Sequence, residues 1–355
     1  MKKFIVAIAA ATLVVGLSVG VAFAKSGKQS ADAAACVLLP DSKSSVRWET
    51  QDRRFLAAAF KAAGVTYSIV NAEGDAQRQR SQADQCLLNN AKVILLVNLD
   101  SGSARSIQNA AAAKNVKVID YDRLTLGGRT AYYVSFNNPE VGKLMGTGVV
   151  AAMRAKGILS SGKKPVVAYL NGGPTDNNSK LFKQGYAGVI DPLFKSGKAS
   201  KGPDQSVPGW DNQKARTLFE GMLAKTSNKI DAVAAANDGL ANAVVTALKA
   251  KKLNPIPVSG QDATAGGVQN VISGWQSGTV YKSIKLEANA AAQVAINIIK
   301  NRPVKTNGRT SDGKRNVPSV LLKPIWITKN NYELLFTDGF LKKSEVCRGE
   351  YKKFC

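Results

Sequence analysis

From Cys36 onward, short apolar runs rich in β-branched residues alternate with amphipathic or alanine-rich runs, and this alternation restricts the chain more than any single motif does. "CVLLP" is followed by "ETQDRRFLAAAFKAAG", then by "VTYSIVNA", "AQRQRSQADQCLLNNA", "KVILLVN", "SGSARSIQNAAAAKN" and "VKVIDY". Strand-like and helix-like segments in strict alternation form a βαβ series. Such a series predicts a parallel sheet with helices on both faces, whose strands are buried and continuously apolar, as "VILLV" and "VKVI" are.

The pattern restarts after "AYYVSFNN" at 131–138. The second round predicts helix 139–157, strand "PVVAYLN", helices 178–197 and 212–226, strand "DAVAAAN", helix 239–253, strand "PVSG", helix 265–276 and strand "TVYKSI". A helix over 285–300 and a strand pair around "SVLLKPIWITK" remain, too little for a third domain. They are best used to complete both sheets, so the chain crosses between two lobes more than once. The predicted fold class is α/β, with two doubly wound parallel-sheet lobes.

Residues 1–24 read as a cleaved export signal: Lys2 and Lys3, an apolar stretch from Phe4 to about Val21, and Ala22-Phe23-Ala24 as a small-x-small cleavage site. Removal leaves 331 residues, more than one hydrophobic core usually serves. No other stretch is long and apolar enough to span a bilayer, so the mature chain is expected to be soluble and extracytoplasmic, in the periplasm or its equivalent. In that oxidising compartment, Cys36, Cys86, Cys347 and Cys355 are an even set available for disulfides. Four cysteines allow three pairings. Cys347 and Cys355 bracket the short "CRGEYKKFC" loop, and Cys36 with Cys86 would then tie the first strand to a helix of the same lobe.

The chain has no histidine and no CxxC spacing, which makes metal ligation the weaker reading of the cysteines and removes the commonest general base. Its formal charge of +24 falls to +22 when Lys2 and Lys3 leave with the signal. The basic residues are scattered rather than gathered into a run, which argues against nucleic acid and for a solvated basic surface facing an anionic envelope.

Open parallel sheets bind ligands beyond the carboxyl ends of their strands. Polar clusters fall there repeatedly: "PDSKSSVRW", "YDR", "GGPTDNNSK", "ND" and "GQDA". One such junction would be ordinary helix capping. Five of them on facing lobes describe a polar cleft. Its inventory is planar and bidentate: Arg47, Asp122, Arg123, Asp176, Asn178, Asn237 and Asp262, with Lys282 at a crossing and Trp48 and Trp210 as flat apolar faces. A pyranose matches this set, because each hydroxyl can donate to a carboxylate while accepting from a cation or amide, and the C–H face of the ring stacks on an aromatic. An anion would want a net positive lining without three aspartates, and a dinucleotide would want a GxGxxG that is absent. No cofactor is expected. Against each assignment stands a plainer one: Asp122–Arg123 as a surface pair, Asn178 as a helix cap, Asp262 as a turn former. Trp275 and Trp326 are assigned to packing.

The stretches "VRW", "YDR", "DNNSKLF", "GW", "NKIDAVAAANDG", "SGQDA", "TVYKSI" and "TKNN" resemble, in order and spacing, the type I periplasmic sugar-binding proteins of ABC importers, the D-xylose binders above all. The similarity covers essentially the whole mature chain. It implies two lobes joined by three hinge strands, 34–136 plus 283–323 and 137–282 plus 324–355, closing on one monosaccharide without chemistry. It further implies a monomer whose partners are a membrane ABC permease and a chemoreceptor. Sugar contacts carried over by the resemblance fall on Arg47, Trp48, Asp122, Arg123, Asp176, Asn178, Phe182, Trp210, Asn237, Asp262 and Lys282. Lys183 stands where the D-xylose binders have Arg, and an ammonium in place of a bidentate fork changes hydroxyl selection. The first loop also lacks a second acidic residue that the family leads one to expect. Sugar-responsive repressors of the LacI type share such lobes but begin with a helix-turn-helix, where this chain has an export signal. An exported glycosidase using Asp176 and Asp262, and an envelope adhesion protein drawing on the basic charge, are the rival classes.

Overall fold

The computed structural model describes residues 32–355, so the expected export signal lies outside the described residues. The chain begins with β1 (Ala35–Leu39), α1 (Arg53–Ala62), β2 (Tyr67–Asn71), α2 (Ala76–Leu88), β3 (Val93–Leu96), α3 (Ser101–Ala113), β4 (Lys117–Tyr121) and β5 (Tyr132–Phe136). It continues through α4 (Asn138–Ala155), β6 (Val166–Asn171), α5 (Asn177–Lys195), β7 (Ser200–Ser206), α6 (Asn212–Lys225), β8 (Ala232–Ala235), α7 (Asp238–Ala250), α8 (Ala265–Ile272) and β9 (Thr279–Tyr281). It ends with α9 (Ile284–Ile299), β10 (Gly308–Ser311), β11 (Asn316–Leu322), β12 (Ile325–Ile327) and two short helices, α10 (Leu334–Thr337) and α11 (Lys343–Val346).

The first sheet has the order β10-β11-β5-β4-β3-β1-β2 and is parallel except for the β10–β11 hairpin. Its central strands β1 and β3 are buried at every position, as their unbroken apolar sequence requires when helices cover both faces. One face packs Leu56 and Phe60 of α1 with Ala288 and Ala292 of α9, and the other packs α2 and α3 through Ala83, Leu87, Ala104 and Ile107. The second sheet system begins as the parallel set β7-β6-β8. Isolated parallel bridges Val233–Val258 and Gln261–Val280 carry it on to β9, which pairs with β12 in antiparallel fashion. The chain thus passes between the two systems after β5, after β9 and after β11.

The predicted alternation is present, with two differences. The "PVSG" strand is reduced to the single bridge at Val258, and β7 (SKGPDQS) is a strand that apolar patterning misses. It lies at the edge of its sheet, where half-exposed polar residues and Pro203 are tolerated because one side of the backbone needs no partner. Trp275 and Trp326 pack against the core of the second system, as expected. Cys36 is bonded to Cys86 and Cys347 to Cys355, so the first bond ties β1 to α2 and the second closes the terminal loop. Among the described residues, no helix is long and apolar enough to cross a membrane.

Helices α4 and α5 approach until their backbones touch. A Cβ on Gly142 would overlap the carbonyl of Phe182, and one on Gly185 would overlap the carbonyl of Pro139. This contact sets the height of α5, and hence of Phe182, relative to the sheet. Gly142→Ala should therefore lower unfolding stability by about 1–3 kcal/mol despite the better helix propensity of alanine, read as a reduced midpoint in urea at unchanged slope.

Candidate functional site

The strand ends of the two systems face one another across a narrow cavity of about 40 Å³. From the first system come Ser44, Ser45, Arg47 and Trp48 after β1, and Asp122 and Arg123 after β4. The second contributes Asp176, Asn178 and Phe182 at the start of α5, Trp210 after β7, Asn237 after β8, Gln261 and Asp262 before α8, and Lys282 after β9. Eleven of the twelve residues expected from the sequence thus line one space. Lys183 does not: it is ion-paired to Asp204 of β7 at 2.7 Å, with a side chain 39% exposed. Its neighbour Phe182 faces the cavity, and adjacent helix positions diverge by about 100°, so both cannot.

Arg47 is the centre of the first wall. It immediately precedes a π-helical turn, Trp48–Asp52, whose width brings residue 52 beneath residue 47. Nε and Nη2 of Arg47 donate to the two carboxylate oxygens of Asp52 at 2.9 and 2.8 Å. Nη2 also donates to Glu287 Oε2 at 2.6 Å, and Nη1 to Asp122 Oδ2 at 2.9 Å. Four of the five guanidinium hydrogens are thereby committed, leaving one for a ligand. Tyr121 donates its hydroxyl to Asp52. Asp52 and Glu287 are functional residues that the sequence conceals. One sits at an i+5 spacing outside the usual helical pairs, and the other lies 240 residues away on the first turn of α9.

The two walls also touch. Asn178 Nδ2 donates to the Asp122 carbonyl at 2.9 Å and to its Oδ1 at 3.3 Å, while Asn178 Oδ1 accepts from Asn138 at 2.8 Å. Its amide hydrogens are directed at Asp122, so Asn178 orients Asp122 rather than offering hydrogens to a ligand. Arg123 Nε lies 3.3 Å from Asp176 Oδ2, out of hydrogen-bond alignment. Asp176 caps α5 by accepting from the Asn178 amide, and Asn237 caps α7 by accepting from Leu240. Capping and lining are thus one role here, since a side chain at a helix N-terminus beyond a strand end already faces the cleft.

Each lining carboxylate lies against a cation: Asp122 on Arg47, Asp176 on Arg123, and Asp262 on Lys282 at 3.0 Å. Burial acts to raise Asp122, but the charges of Arg47, Lys282 and Arg123 outweigh it and hold the carboxyl below its ordinary range. Burial wins at Asp176, which is raised. The indole nitrogens are engaged inside the protein, Trp48 with Ser44 and Trp210 with Asp176, so these residues present only ring faces. Gly172 makes room for the Trp210 ring, which a Cβ there would overlap. Asp122, Trp210 and Asp262 all hold left-handed backbone, at φ 63°, 56° and 92°. Strain of this kind concentrates at ligand sites, where it aims side chains that regular structure cannot. Lys282 lies 5.7 Å from the Phe182 ring, Phe182 packs edge-on to Trp210, and Arg47 covers Trp48 at 4.4 Å.

A family model described as the periplasmic binding protein domain matches residues 36–303. The D-xylose-binding periplasmic protein of Haemophilus influenzae is 34% identical over 304 residues, which cover 84% of this chain and 88% of that protein. The D-xylose-binding periplasmic protein of Escherichia coli is 33% identical over 302 residues, with the same coverage of 84% and 88%. Among solved structures, a carbohydrate transporter solute binding protein from Chloroflexus aurantiacus, in complex with D-glucose, superposes with a TM-score of 0.80 at 26% identity, over 88% of this chain and 98% of that one.

One guanidinium facing three buried carboxylates has an electrostatic consequence. Burial, together with the charges of Asp122 and Asp52, overcomes the attraction of Arg47 and pushes Glu287 from its ordinary 4.5 up to about 8. Between those values the folded chain binds more protons than the unfolded chain, so the Glu287 contribution to stability falls as pH rises through this window and levels above it. Glu287→Gln, which mimics the neutral acid, should match the wild type near pH 5 and exceed it increasingly in melting temperature towards pH 8, as thermal melts across that range would read.

Proposed function

The chain belongs to the periplasmic binding protein family, and from that premise we propose that it is an extracytoplasmic receptor for an aldose, with D-xylose as the first candidate. The observation that carries this reading is the lining itself: three cations matched to three carboxylates, with the flat faces of Trp48 and Trp210 and the ring of Phe182 among them. A neutral polyol satisfies such a lining because each hydroxyl is at once donor and acceptor, and charged partners strengthen both bonds where water is excluded. Indoles whose N–H groups are already bonded offer stacking surfaces suited to the C–H face of a sugar ring. The names of the D-xylose-binding relatives support the pentose. A second aldose, D-glucose, has support from the solved structure with that sugar bound, and from Lys183 standing outside the cavity.

In this reading residues 1–24 direct export, and the lobes are 34–136 plus 283–323 and 137–282 plus 324–355. The three crossings act as hinges. The sugar touches both walls and so favours the closed arrangement by its differential affinity, and the closed form delivers it to an ABC permease. The role involves no chemistry on the ligand: each lining carboxylate is held against a cation, which leaves no free acid–base pair of the kind a glycosidase uses.

Isothermal titration of the exported, ligand-stripped protein should give one-to-one saturable binding of D-xylose or D-glucose above galactose, ribose and arabinose. Asp122→Ala should abolish it, whereas Lys183→Ala should leave affinity within about twofold, as for an exposed ion pair. Failure of every aldose to bind would overturn the reading. Small-angle scattering should show the radius of gyration fall on addition of the sugar that binds, and an unchanged radius would remove the closure step.

A further inference from the structure

Ser44 lines the cavity, although nothing in the run of serines around it, Ser42, Ser44 and Ser45, marks it out. Its hydroxyl makes three bonds inside the protein. Oγ donates to Asp41 Oδ2 at 2.8 Å, and it accepts from Trp48 Nε1 at 3.2 Å and from Arg123 Nη2 at 3.3 Å. An indole and a guanidinium can only donate, so both lone pairs of the hydroxyl go to them and its single hydrogen is left for Asp41. The hydroxyl is then fully committed, with no capacity for a ligand. Asp41 is buried, and its other oxygen accepts from the amides of Lys43 and Ser44, which fixes the carboxylate that aims the hydroxyl.

All four residues belong to the first sheet system: Asp41, Ser44 and Trp48 follow β1, and Arg123 follows β4. The junction therefore does not depend on how the two systems approach one another. On its other side, Arg123 Nη1 donates to the Asn98 carbonyl at 3.2 Å, and Asn98 Nδ2 returns a bond to the Arg123 carbonyl at 2.9 Å. The guanidinium is thus held at both Nη atoms by partners in its own system, and its Nε lies 3.3 Å from Asp176 of the opposite wall. Trp48 is held at its single N–H, which sets the plane of the ring whose faces it presents. Side chains left free to change rotamer must be ordered when a ligand binds, and that ordering weakens affinity.

We infer that Ser44 is a positioning residue: aimed by Asp41, its hydroxyl fixes the ring plane of Trp48 and the fork of Arg123 before a ligand arrives, without touching the ligand itself. The effect on sugar affinity rests on the aldose-receptor reading, whereas the ordering of the two side chains does not. Loss of the hydroxyl leaves the indole and one guanidinium hydrogen without their acceptor and Asp41 without a donor, so the first wall loosens while the ligand contacts of the second wall stay intact.

The test begins with proton–nitrogen correlation spectra of the exported, sugar-free protein, in which the Trp48 indole signal is assigned by its loss in Trp48→Phe. That signal should be protected from exchange with water in the wild type. In Ser44→Ala it should shift and exchange faster, while the signals of Trp210, Trp275 and Trp326 stay in place. Asp41→Asn, which puts a donor where Ser44 needs an acceptor, should cause the same change and serves if Ser44→Ala does not fold. Calorimetric titration with D-xylose and D-glucose follows. Ser44→Ala should weaken the sugar that binds about tenfold, and Ser44→Thr, which keeps the hydroxyl, should recover most of that loss. In a Trp48→Phe background the further loss from Ser44→Ala should be smaller, because the two sites are coupled. An unmoved Trp48 signal would overturn the positioning role, and so would a loss undiminished in the Trp48→Phe background, which would make Ser44 a direct ligand contact. Wild-type protein that binds neither sugar would overturn the receptor reading and the effect on affinity, while the sugar-free spectra still decide whether Ser44 orders the wall.

Discussion

The site depends on one buried guanidinium. Arg47 holds Asp52, Asp122 and Glu287, and through them joins the loop after β1, the end of β4 and the first turn of α9. Charges this deep are expensive to desolvate, and their attraction offsets the cost only when the geometry satisfies nearly every donor. Here four of five donors are met within the protein, so Arg47 serves chiefly to hold Asp122 at the cavity. Removing Arg47 itself would leave buried carboxylates without their cation, which typically costs about 3–5 kcal/mol. The arrangement couples the wall of the site to a helix that starts just after a crossing between the two sheet systems.

The second wall is built by a different device. Asp176 and Asn237 are helix caps whose position beyond a strand end also makes them cavity residues, while Asp122, Trp210 and Asp262 rely on left-handed backbone to turn inward. Caps cost little, because the amides they satisfy need partners in any case. The left-handed turns carry strain and require support, which Asp238, Thr264, Thr279 and Gln276 supply around Asp262. Rigid elements with satisfied ends thus hold the strained residues in place, a division of labour suited to a site whose work is recognition.

Much of this was legible in the amino-acid order. The alternation of apolar and amphipathic runs predicts parallel sheets, and the rule that ligands sit beyond strand carboxyl ends selects ten of the residues that line the cavity, to which the family resemblance adds Phe182. The failures are equally instructive. Lys183 is expected in the site because it stands where the D-xylose binders have Arg, but one helical step beyond Phe182 rotates it towards Asp204. Gln261, next to Asp262 in the "GQDA" cluster, also lines the cavity, and nothing in the local sequence separates it from a simple turn residue. β7 carries no apolar pattern, since an edge strand can expose its polar residues and still complete its hydrogen bonds on the inner side.

By itself the sequence determined the α/β class, the two rounds of alternation, the pairing options of four cysteines and the polar character of the cleft. These follow from local periodicity and from short-range chemistry at strand ends, which are encoded within a few residues. Only the tertiary structure decided which donors remain for a ligand. Asn178 donates to a partner 56 residues away, and two of the four committed Arg47 hydrogens go to partners 75 and 240 residues away. Hydrogen-bond capacity is a balance over all neighbours in space, and no local stretch of sequence contains that balance.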